Sequence, residues 1–409
     1  MLLVAAGVPM AAAYLWRTAL LPAITPALPE DFSVNYMSAA AKIAAGQNPY
    51  DLCAIQGCAN VAPGFTLPLA GPQYVTPAPV AWMLQPLVGA SPRVQLAVVI
   101  LVLQLSLVVF VLTTFRALGV RDRQLAALLV LVAIGFEPVI GNFDEGQINL
   151  VLAALSGVWL LGWVAGDRWW GGAALGVSVA LKLLQAPLAL LLLWGRRWLT
   201  LAGAAVAGLF LWAVAVPQYL PEYLFKVAPV LAAGTGLFEN HSPGGTVARL
   251  LAPGTFFGAV RDTPPLARVI TAGISLVVVV ITFWVLRRPR ADRRGRALEA
   301  AAMVAAGPLV ASYSWGTHLV LLLLPMFVLI AWSLPRRDWL VLGLVAASWL
   351  LIGPGHKLLQ ALLVSGYTNL LVLRLMAEFG VVGIIAIWVA SLLAVRRERS
   401  ADRLDPADE

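Results

Sequence analysis

The chain has little charge and few of the residues that build metal centres. Only 12% of its 409 residues are charged, against roughly 25% in an ordinary soluble domain. Three histidines and two cysteines leave little room for a metal cluster. These shortages argue against an ordinary soluble enzyme, and we expect no metal cofactor.

Apolar residues take the place of the missing charge. They make up 61% of the chain, and they recur in runs of roughly 15 to 25 residues, which are long enough to cross a bilayer as helices. The runs are continuous, whereas the strands of a membrane barrel alternate between apolar and polar residues. The sequence therefore predicts an all-α polytopic membrane protein.

The runs predict about twelve transmembrane helices with both termini inside. The run 171–194 holds Lys182 and Pro187 near its centre. Because proline breaks a helix and lysine is costly at the bilayer midplane, this run predicts two short helices that meet at the outer surface. Counting 77–90 as a crossing would invert every later loop, so it is predicted as a short re-entrant helix. The runs lie at about 1–20, 93–115, 124–138, 147–165, 171–194, 198–216, 266–286, 298–314, 317–333, 338–352 and 369–394.

The charges support this orientation. The net charge is +8, yet 18 of the 28 basic residues fall in the predicted inner loops, as the positive-inside rule requires. The excess of positive charge therefore does not indicate a nucleic-acid partner. The inner basic residues are Arg116, Arg121, Arg123, Arg168, Arg196, Arg197, Arg287, Arg288, Arg290, Arg293, Arg294, Arg296, Arg336, Arg337, Arg396, Arg397, Arg399 and Arg403. The acids in the predicted outer loops are Asp31, Asp51, Glu137, Asp144, Glu145, Glu222, Glu239 and Asp262.

The pattern predicts one transmembrane catalytic domain, 1–394, followed by a charged cytoplasmic tail, 395–409. Two outer loops, 21–92 and 217–265, are much longer than ordinary connections and are therefore expected to be functional. Their aromatic residues argue against disorder. The stretch 33–45 is amphipathic and is a candidate for a surface helix.

Two features of the sequence leave alternatives open. Cys53 and Cys58 are disulfide candidates if their loop faces an oxidising compartment, and reduced loop thiols otherwise. Residues 1–20 favour a first membrane helix over a signal peptide, because they lack a basic start and Arg17 lies near their far end.

Unusual polar residues from five separate segments fall on the predicted outer side. Carboxylates, amides and cations at one depth indicate a cleft at the membrane surface. The cations suit a phosphate, and a helix that begins near 147 would add backbone N–H groups. The residues are Asp31, Asp144, Glu145, Gln147, Asn149, Lys182, Asn240, His241, Arg249 and His318.

Each of these residues also has a purely structural interpretation. Asp31 would cap a helix that begins near Ser33, and Lys182 would reach toward lipid headgroups. Gln147 and Asn149 would form hydrogen bonds between helices. The convergence of five unrelated segments nevertheless favours a functional site.

The motifs resemble the membrane glycosyltransferases of the GT-C class. The resemblance is greatest to glycosyltransferase family 87, which includes polyprenyl-phosphate-mannose-dependent α-mannosyltransferases and related arabinosyltransferases. It follows the family's order from residue 31 to about 320. The matching residues are Asp31-Phe32 with Tyr36 and Ala39-Ala40, Gly46 to Asp51, Tyr74 with Pro77 and Pro79, Gly146-Gln147-Ile148-Asn149, Lys182 with Pro187, Asn240-His241-Ser242 with Arg249, and Ser312 to His318.

The resemblance implies a GT-C-like fold and an inverting sugar transfer. The implied donor is a polyprenyl-phosphate sugar, with mannose expected before arabinose, and the acceptor is a hydroxyl of a glycolipid or glycan. Neither a nucleotide nor a metal is expected to take part. The composition fits a bacterium, whose active site would face the periplasm or exterior from the cytoplasmic membrane.

By analogy with the class, Asp31 is the general base that takes the proton of the acceptor hydroxyl. Cations are expected to stabilise the departing phosphate. Those assigned to the donor phosphate are Lys182, Arg249 and His318. Those assigned to the sugar or the acceptor are Tyr36, Asp144, Glu145, Gln147, Asn149, Asn240 and His241.

Two other functions compete with this interpretation. A transporter or flippase of a lipid-linked sugar would also use many crossings and a broken helix. Transporters, however, hold their polar groups at mid-depth, and this sequence lacks the inverted repeat that they often carry. A non-catalytic scaffold would leave the polar cluster unexplained.

Overall fold

The protein is helical throughout its described parts. Every regular element in them is a helix, which confirms the all-α prediction. Cys53 and Cys58 lie outside the described residues. The computed structural model describes residues 2–50, 74–232, 234–252, 256 and 264–404.

Long helices alternate with short ones, and the described portions of both long loops are partly helical. In the first half the α-helices span Leu2–Leu15, Leu21–Ile24, Ser38–Ala44, Ala78–Leu84, Pro92–Leu118, Arg123–Ile134, Glu137–Glu145, Asn149–Ala165, Trp169–Leu181, Leu188–Trp194 and Trp198–Ala215. In the second half they span Leu220–Glu222, Ala228–Ala232, Pro243–Leu251, Pro265–Val285, Arg293–Val310, Leu323–Ser333, Trp339–Ile352, Pro354–Val364, Leu370–Ala377 and Phe379–Leu404. Short 3₁₀ or π-helical turns occupy Trp16–Leu20, Asp31–Met37, Gln85–Leu87, Leu183–Gln185, Pro217–Tyr219, Tyr223–Val227 and Gly316–Leu322.

Six helices of the described chain are long and apolar enough to cross a membrane. A seventh results when Arg123–Ile134 and Glu137–Glu145, bent by 46°, are taken as one broken span. The chain is therefore a helical membrane protein, but the predicted twelve crossings are not confirmed. The six spans are Pro92–Leu118, Trp198–Ala215, Pro265–Val285, Gly316–Ser333, Trp339–Val364 and Leu370–Ser400.

Several of the apolar runs form helices that are shorter than these six. Asn149–Ala165 has 17 residues and Trp169–Leu181 has 13, fewer than the roughly 20 that span the hydrocarbon core. Asn149–Ala165 buries 12 of its residues inside the protein, and a helix that is buried on all sides is apolar on all sides.

The predicted break within 171–194 is confirmed. Trp169–Leu181 ends at Lys182, whose backbone is extended with φ −163° and ψ 128°. One 3₁₀ turn follows, and the next helix begins after Pro187, at Leu188–Trp194. The break places the lysine at the end of a helix rather than in the middle of one.

The predicted short helix near 77–90 is present as Ala78–Leu84. It packs against Ser38–Ala44, which belongs to the amphipathic stretch. Phe32 and Tyr36, just before that helix, are each 1% exposed. The apolar side of the amphipathic stretch therefore packs on the protein.

The arginines of the predicted inner loops meet at one end of the bundle, here called the basic end. Arg293 Nε donates to the carbonyl of Ala117 at 2.7 Å, and Arg399 Nη2 donates to the carbonyl of Arg288 at 2.6 Å. The polar residues on the predicted outer side belong to the opposite helix ends. The basic end is formed by the loops near 116–123, 164–168, 196–200, 286–296, 333–339 and 396–400.

The helix Phe379–Leu404 continues past the predicted domain boundary at 394. Glu398 accepts a hydrogen bond from Trp332 Nε1 at 2.7 Å and pairs with Arg336 at 3.1 Å. The start of the predicted tail is thus helical and packed into the basic end, because its buried carboxylate has partners there.

Candidate active site

Asp31 lies in the π-helical turn Asp31–Met37, and both of its carboxylate oxygens are hydrogen-bonded. Asn35 Nδ2, one helical turn later, donates to Oδ1 at 2.9 Å. Gln147 Nε2 donates to Oδ2. These two bonds fix the plane of the carboxylate, and they join the first outer loop to the start of a core helix.

Gly146 allows this junction to form. It ends the helix Glu137–Glu145 in the left-handed conformation, with φ +68°. A Cβ at this position would lie 2.5 Å from Cβ of Phe32 and 3.0 Å from Cβ of Pro29. Only glycine therefore lets the Asp31 segment approach the backbone next to Gln147.

Lys182 reaches the same place from the broken helix. Its Nζ donates to Gln147 Oε1 at 3.2 Å and to Asn149 Oδ1 at 3.0 Å. Tyr36 OH also donates to Gln147 Oε1, at 2.7 Å. We call this cluster the Asp31–Lys182 network; its members are Asp31, Asn35, Tyr36, Gln147, Asn149 and Lys182.

The network keeps accessible surface at these helix ends, and we call the accessible area around it the recess. Lys182 and Asp31 are half-buried and keep accessible surface, and Glu145 beside them is exposed. Glu239 of the second long loop also faces Asp31: burial, and then the negative charge of Asp31, raise the pKa of Glu239. Among the described residues, the recess thus brings the carboxylates of Asp31, Glu145 and Glu239 near the ammonium group of Lys182.

His318 lies beside this recess but belongs to the protein interior. It is 7% exposed, and its Nδ1 accepts the backbone N–H of Trp315 at 3.3 Å. It lies close enough to Lys182 for the charge of that ammonium group to act on it. The structure therefore brings His318 near the network, as the sequence predicts, without a direct hydrogen bond between the two.

Arg249 is engaged elsewhere. Its Nε pairs with Glu378 Oε1 at 2.8 Å, and its Nη1 donates to the carbonyls of Leu237 and Asn240 at 3.1 and 3.0 Å. The residue is buried at 3% exposure. The structure does not bring this predicted phosphate ligand into the Asp31–Lys182 network; it holds the second long loop against a helix.

Asn240 and His241 are likewise committed to that loop. The Asn240 amide donates to the carbonyls of Thr235 and Ser312 at 2.8 and 3.1 Å, and its oxygen accepts the N–H groups of two serines. His241 is buried and packs edge to face on His356 at 4.9 Å between ring centroids. Neither predicted sugar ligand bonds to the network.

Asp144 belongs to a chain of ion pairs. It pairs with Arg17 at the end of the first helical segment. Arg17 also lies 3.6 Å from Glu137, which pairs with Lys357 at 2.9 Å. Asp144 therefore joins helices beside the recess and does not contact Asp31.

Two asparagines that the sequence interpretation did not assign support the site. Asn35 follows Asp31 by four residues, which is the spacing that places two side chains on one helix face. Asn142 is fully buried; its Nδ2 donates to the carbonyl of Thr317 at 3.0 Å, and its Oδ1 accepts the N–H of Asn149 at 3.1 Å. Only the first could have been found from spacing.

An apolar cavity of about 310 Å³ opens next to the break that carries Lys182. Three helical segments line it, and its walls are almost wholly hydrocarbon. In the described chain, no group of three His, Cys, Asp or Glu side chains could hold a metal ion. The cavity is lined by Ala186, Pro187, Leu190, Val279, Thr282, Phe283, Met303, Ala306, Gly307 and Val310.

A family model described as glycosyltransferase family 87 matches residues 74–312, more than half of the chain. The chain belongs to glycosyltransferase family 87. The matched range includes Gln147, Lys182 and Arg249, whereas Asp31 precedes it and His318 follows it. The family match therefore does not extend to these last two residues.

The relatives of this family 87 protein include two mannosyltransferases. The chain is 29% identical over 253 residues to a polyprenol-phosphate-mannose-dependent alpha-(1-2)-phosphatidylinositol pentamannoside mannosyltransferase of Mycolicibacterium smegmatis, covering 58% of each chain. It is 32% identical over 298 residues to a polyprenol-phosphate-mannose-dependent alpha-(1-2)-phosphatidylinositol mannoside mannosyltransferase of Mycobacterium tuberculosis, covering 67% of this chain and 65% of that one.

A shorter match joins the chain to a different sugar. It is 32% identical over 137 residues to an alpha-(1->3)-arabinofuranosyltransferase of Mycobacterium tuberculosis, covering 32% of this chain and 30% of that one. The chain spans less than two thirds of the length of each of these three relatives.

Proposed function

We propose that this family 87 protein is a membrane glycosyltransferase that moves mannose from a polyprenyl-phosphate donor to a glycolipid hydroxyl. The observation that carries the proposal is the pairing of Asp31 with Lys182 through one amide in the recess. It supplies a base and a cation, which are the two groups that this reaction needs. The names of the mannosyltransferase relatives support the donor and the kind of acceptor.

In the proposed reaction, the acceptor oxygen attacks the anomeric carbon as the bond from that carbon to the phosphate oxygen breaks. Asp31 takes the hydroxyl proton, which makes the oxygen a better nucleophile. The bonding electron pair leaves with the phosphate. Attack from the face opposite the phosphate inverts the anomeric carbon.

Lys182 is the proposed partner of the leaving phosphate. Its Nζ uses two hydrogen bonds within the network, and an ammonium group has three N–H donors. The remaining N–H group is available to a phosphate oxygen. A positive charge at the place where negative charge develops stabilises the transition state more than the ground state.

The donor's lipid tail needs an apolar place close to its phosphate. The cavity of about 310 Å³ begins at Ala186 and Pro187, a few residues after Lys182. Its hydrocarbon lining suits the first isoprene units of such a tail. The cavity lies on the side of Lys182 that leads into the helix Leu188–Trp194.

The positive-inside rule supports a cytoplasmic position for the basic end. The Asp31–Lys182 network would then open to the periplasm or exterior of a bacterial cytoplasmic membrane. A recess at one end of the bundle also favours an enzyme over a transporter or flippase, which binds its substrate near mid-depth.

A transfer assay tests the proposal. Purified protein receives radiolabelled polyprenyl-phosphate mannose and a phosphatidylinositol mannoside acceptor, and the products are separated by chromatography. We expect product from the wild type and none from Asp31→Asn. Glu222→Gln is the matched control, because Glu222 is another outer carboxylate that accepts a bond from an asparagine, at 2.7 Å.

Each outcome has a clear meaning. Equal product from wild type and Asp31→Asn would remove Asp31 as the base. No product from the wild type would contradict the mannose proposal. Product from a polyprenyl-phosphate arabinose donor instead would favour the arabinosyl alternative, which the partial match to an arabinofuranosyltransferase supports.

A further inference from the structure

We infer that Gln147 is a positioning residue: its side-chain amide keeps Asp31 and Lys182 at opposite ends of one bridge and prevents their direct ion pairing. The sequence pattern had assigned Gln147 to sugar or acceptor binding. This inference rests on the proposed function and concerns how the base of that reaction is kept available.

The hydrogen bonds allow only one orientation of the amide. Its Nε2 donates to Asp31, while its Oε1 accepts from Lys182 Nζ at 3.2 Å and from Tyr36 OH at 2.7 Å. An amide has one donor end and one acceptor end. The reversed orientation would set oxygen against carboxylate and nitrogen against ammonium, so the neighbours themselves fix the glutamine.

The backbone of Gln147 is fixed as well. Its N–H donates to the carbonyl of Asn142 at 2.9 Å, just after the left-handed Gly146. Asn142 is fully buried and is tied through its own side chain to Thr317. The backbone of Gln147 is therefore held by a buried part of the core. Precise positioning of reacting groups requires such a fixed support.

Without the bridge, the two charges could meet. Lys182 already reaches Gln147 Oε1, the other end of the amide whose nitrogen holds Asp31. An ammonium bonded directly to the carboxylate would occupy the lone pair that receives the acceptor proton. It would also withdraw the cation from the leaving phosphate, so one rearrangement would impair both catalytic groups.

The first test replaces the amide with a side chain of similar size. Gln147→Leu removes both ends of the bridge, and Gln104→Leu is the matched control. Gln104 is also half-buried and bridges two groups: it donates to Thr18 Oγ1 at 2.9 Å and accepts from Tyr14 OH. Both variants lose a bridging glutamine, but only one loses a link between the reacting groups.

We expect kcat of Gln147→Leu to fall by about 10²-fold, as misplacement of reacting groups does. The KM values for donor and acceptor should change little, and kcat of Gln104→Leu should stay near that of the wild type. A raised KM for either substrate with unchanged kcat would overturn the inference and restore the assignment to substrate binding.

The second test measures coupling to Lys182. The effect of Gln147→Leu on kcat is measured in the wild-type protein and in the Lys182→Met variant, in which the Lys182 ammonium group is absent. We expect the loss in kcat to be at least several-fold smaller in that background, because neighbours that share an interaction are not additive. Equal losses in both backgrounds would overturn the inference.

A third variant, Gln147→Glu, keeps the size and the two acceptor bonds but sets a second carboxylate against Asp31. Two carboxylates at one site titrate as a pair. The acidic limb of the plot of kcat against pH should therefore move to higher pH by about one unit or more, because a neighbouring negative charge makes a carboxylate harder to ionise. An unmoved limb would contradict direct contact between residue 147 and the base.

These results separate the inference from the function on which it rests. If wild type is active and Asp31→Asn is inactive while Gln147→Leu keeps full kcat, the proposed function stands and the inference fails. If wild type forms no product with either sugar donor, the proposed function itself fails.

Discussion

Arg249 Nε lies 2.8 Å from Glu378 Oε1, although the two residues are 129 positions apart in the chain. The pair ties the second long outer loop to the helix segment that leads into Phe379–Leu404. The arginine side chain is 2% exposed and the glutamate side chain is 26% exposed. The sequence pattern had assigned Arg249 to the donor phosphate. This contact gives it a structural role instead.

Replacing Arg249 should lower stability more than catalysis. We expect Arg249→Met to lower the free energy of unfolding by about 2 to 3 kcal/mol, less than for a fully buried pair because Glu378 retains contact with solvent. Unfolding in detergent measures the loss, and Arg249→Met with Glu378→Gln should regain part of it. A raised donor KM with unchanged stability would instead support phosphate binding.

Lys182→Met should reduce kcat by about 10²- to 10³-fold, the loss seen when one group that stabilises developing charge is removed. Methionine keeps the length of the side chain while it removes the charge. Steady-state assays of mannose transfer measure the effect. Lys226→Met, at an outer lysine that is 54% exposed, is the control and should remain active; similar losses in both variants would contradict a special role for Lys182.

Gly146→Ala tests the close approach of the Asp31 segment. Alanine is strained by about 1–2 kcal/mol in the left-handed conformation, and its Cβ would also collide with Phe32. Gly119→Ala is a matched control, since Gly119 has φ +70° and open space around its missing Cβ. Both variants should lose stability in thermal unfolding, but only Gly146→Ala should lose transfer activity, by about 10²-fold.

Glu239→Gln should change the pH dependence of stability. Burial, and then the charge of Asp31, raise the pKa of Glu239 above its ordinary 4.5, so its ionised form destabilises the folded state. That cost is absent below pH 4.5 and complete above the raised pKa. The variant should therefore unfold at a higher temperature than wild type at about pH 8 and at a similar one at about pH 4. An increase in unfolding temperature that is equal at both pH values would contradict the raised pKa of Glu239.

The sequence predicted the network better than its surroundings. Asp31, Gln147, Asn149 and Lys182 could be grouped because each is polar, costly to bury and predicted at the same membrane surface. Arg249 had the same properties, but the carboxylate that binds it lies far along the chain, and pattern does not reveal such tertiary partners. For this reason the sequence predicts which end of the bundle carries the polar residues. Tertiary packing then determines which of their side chains come into contact.

Hydropathy also does not fix the number of crossings, for a related reason. Asn149–Ala165 is as apolar as a membrane span, yet most of it is enclosed by protein. A helix in lipid and a helix in a core meet similar apolar surroundings, so hydropathy treats them alike. Both kinds of helix therefore enter the predicted count of crossings.

The backbone break at Lys182 also shapes how this segment enters the bilayer during synthesis. An unbroken helix over 169–194 would hold the lysine near its centre, at an insertion cost of about 2.5–3.5 kcal/mol. The arms Trp169–Leu181 and Leu188–Trp194 are each too short to be released into lipid alone. Both arms pack on Trp198–Ala215, where an added Cβ at Gly172 would overlap the backbone carbonyl of Thr200. We therefore expect the two arms to enter the membrane together with that helix. Substitutions along that contact would therefore be seen first as less protein in the membrane rather than as a slower enzyme.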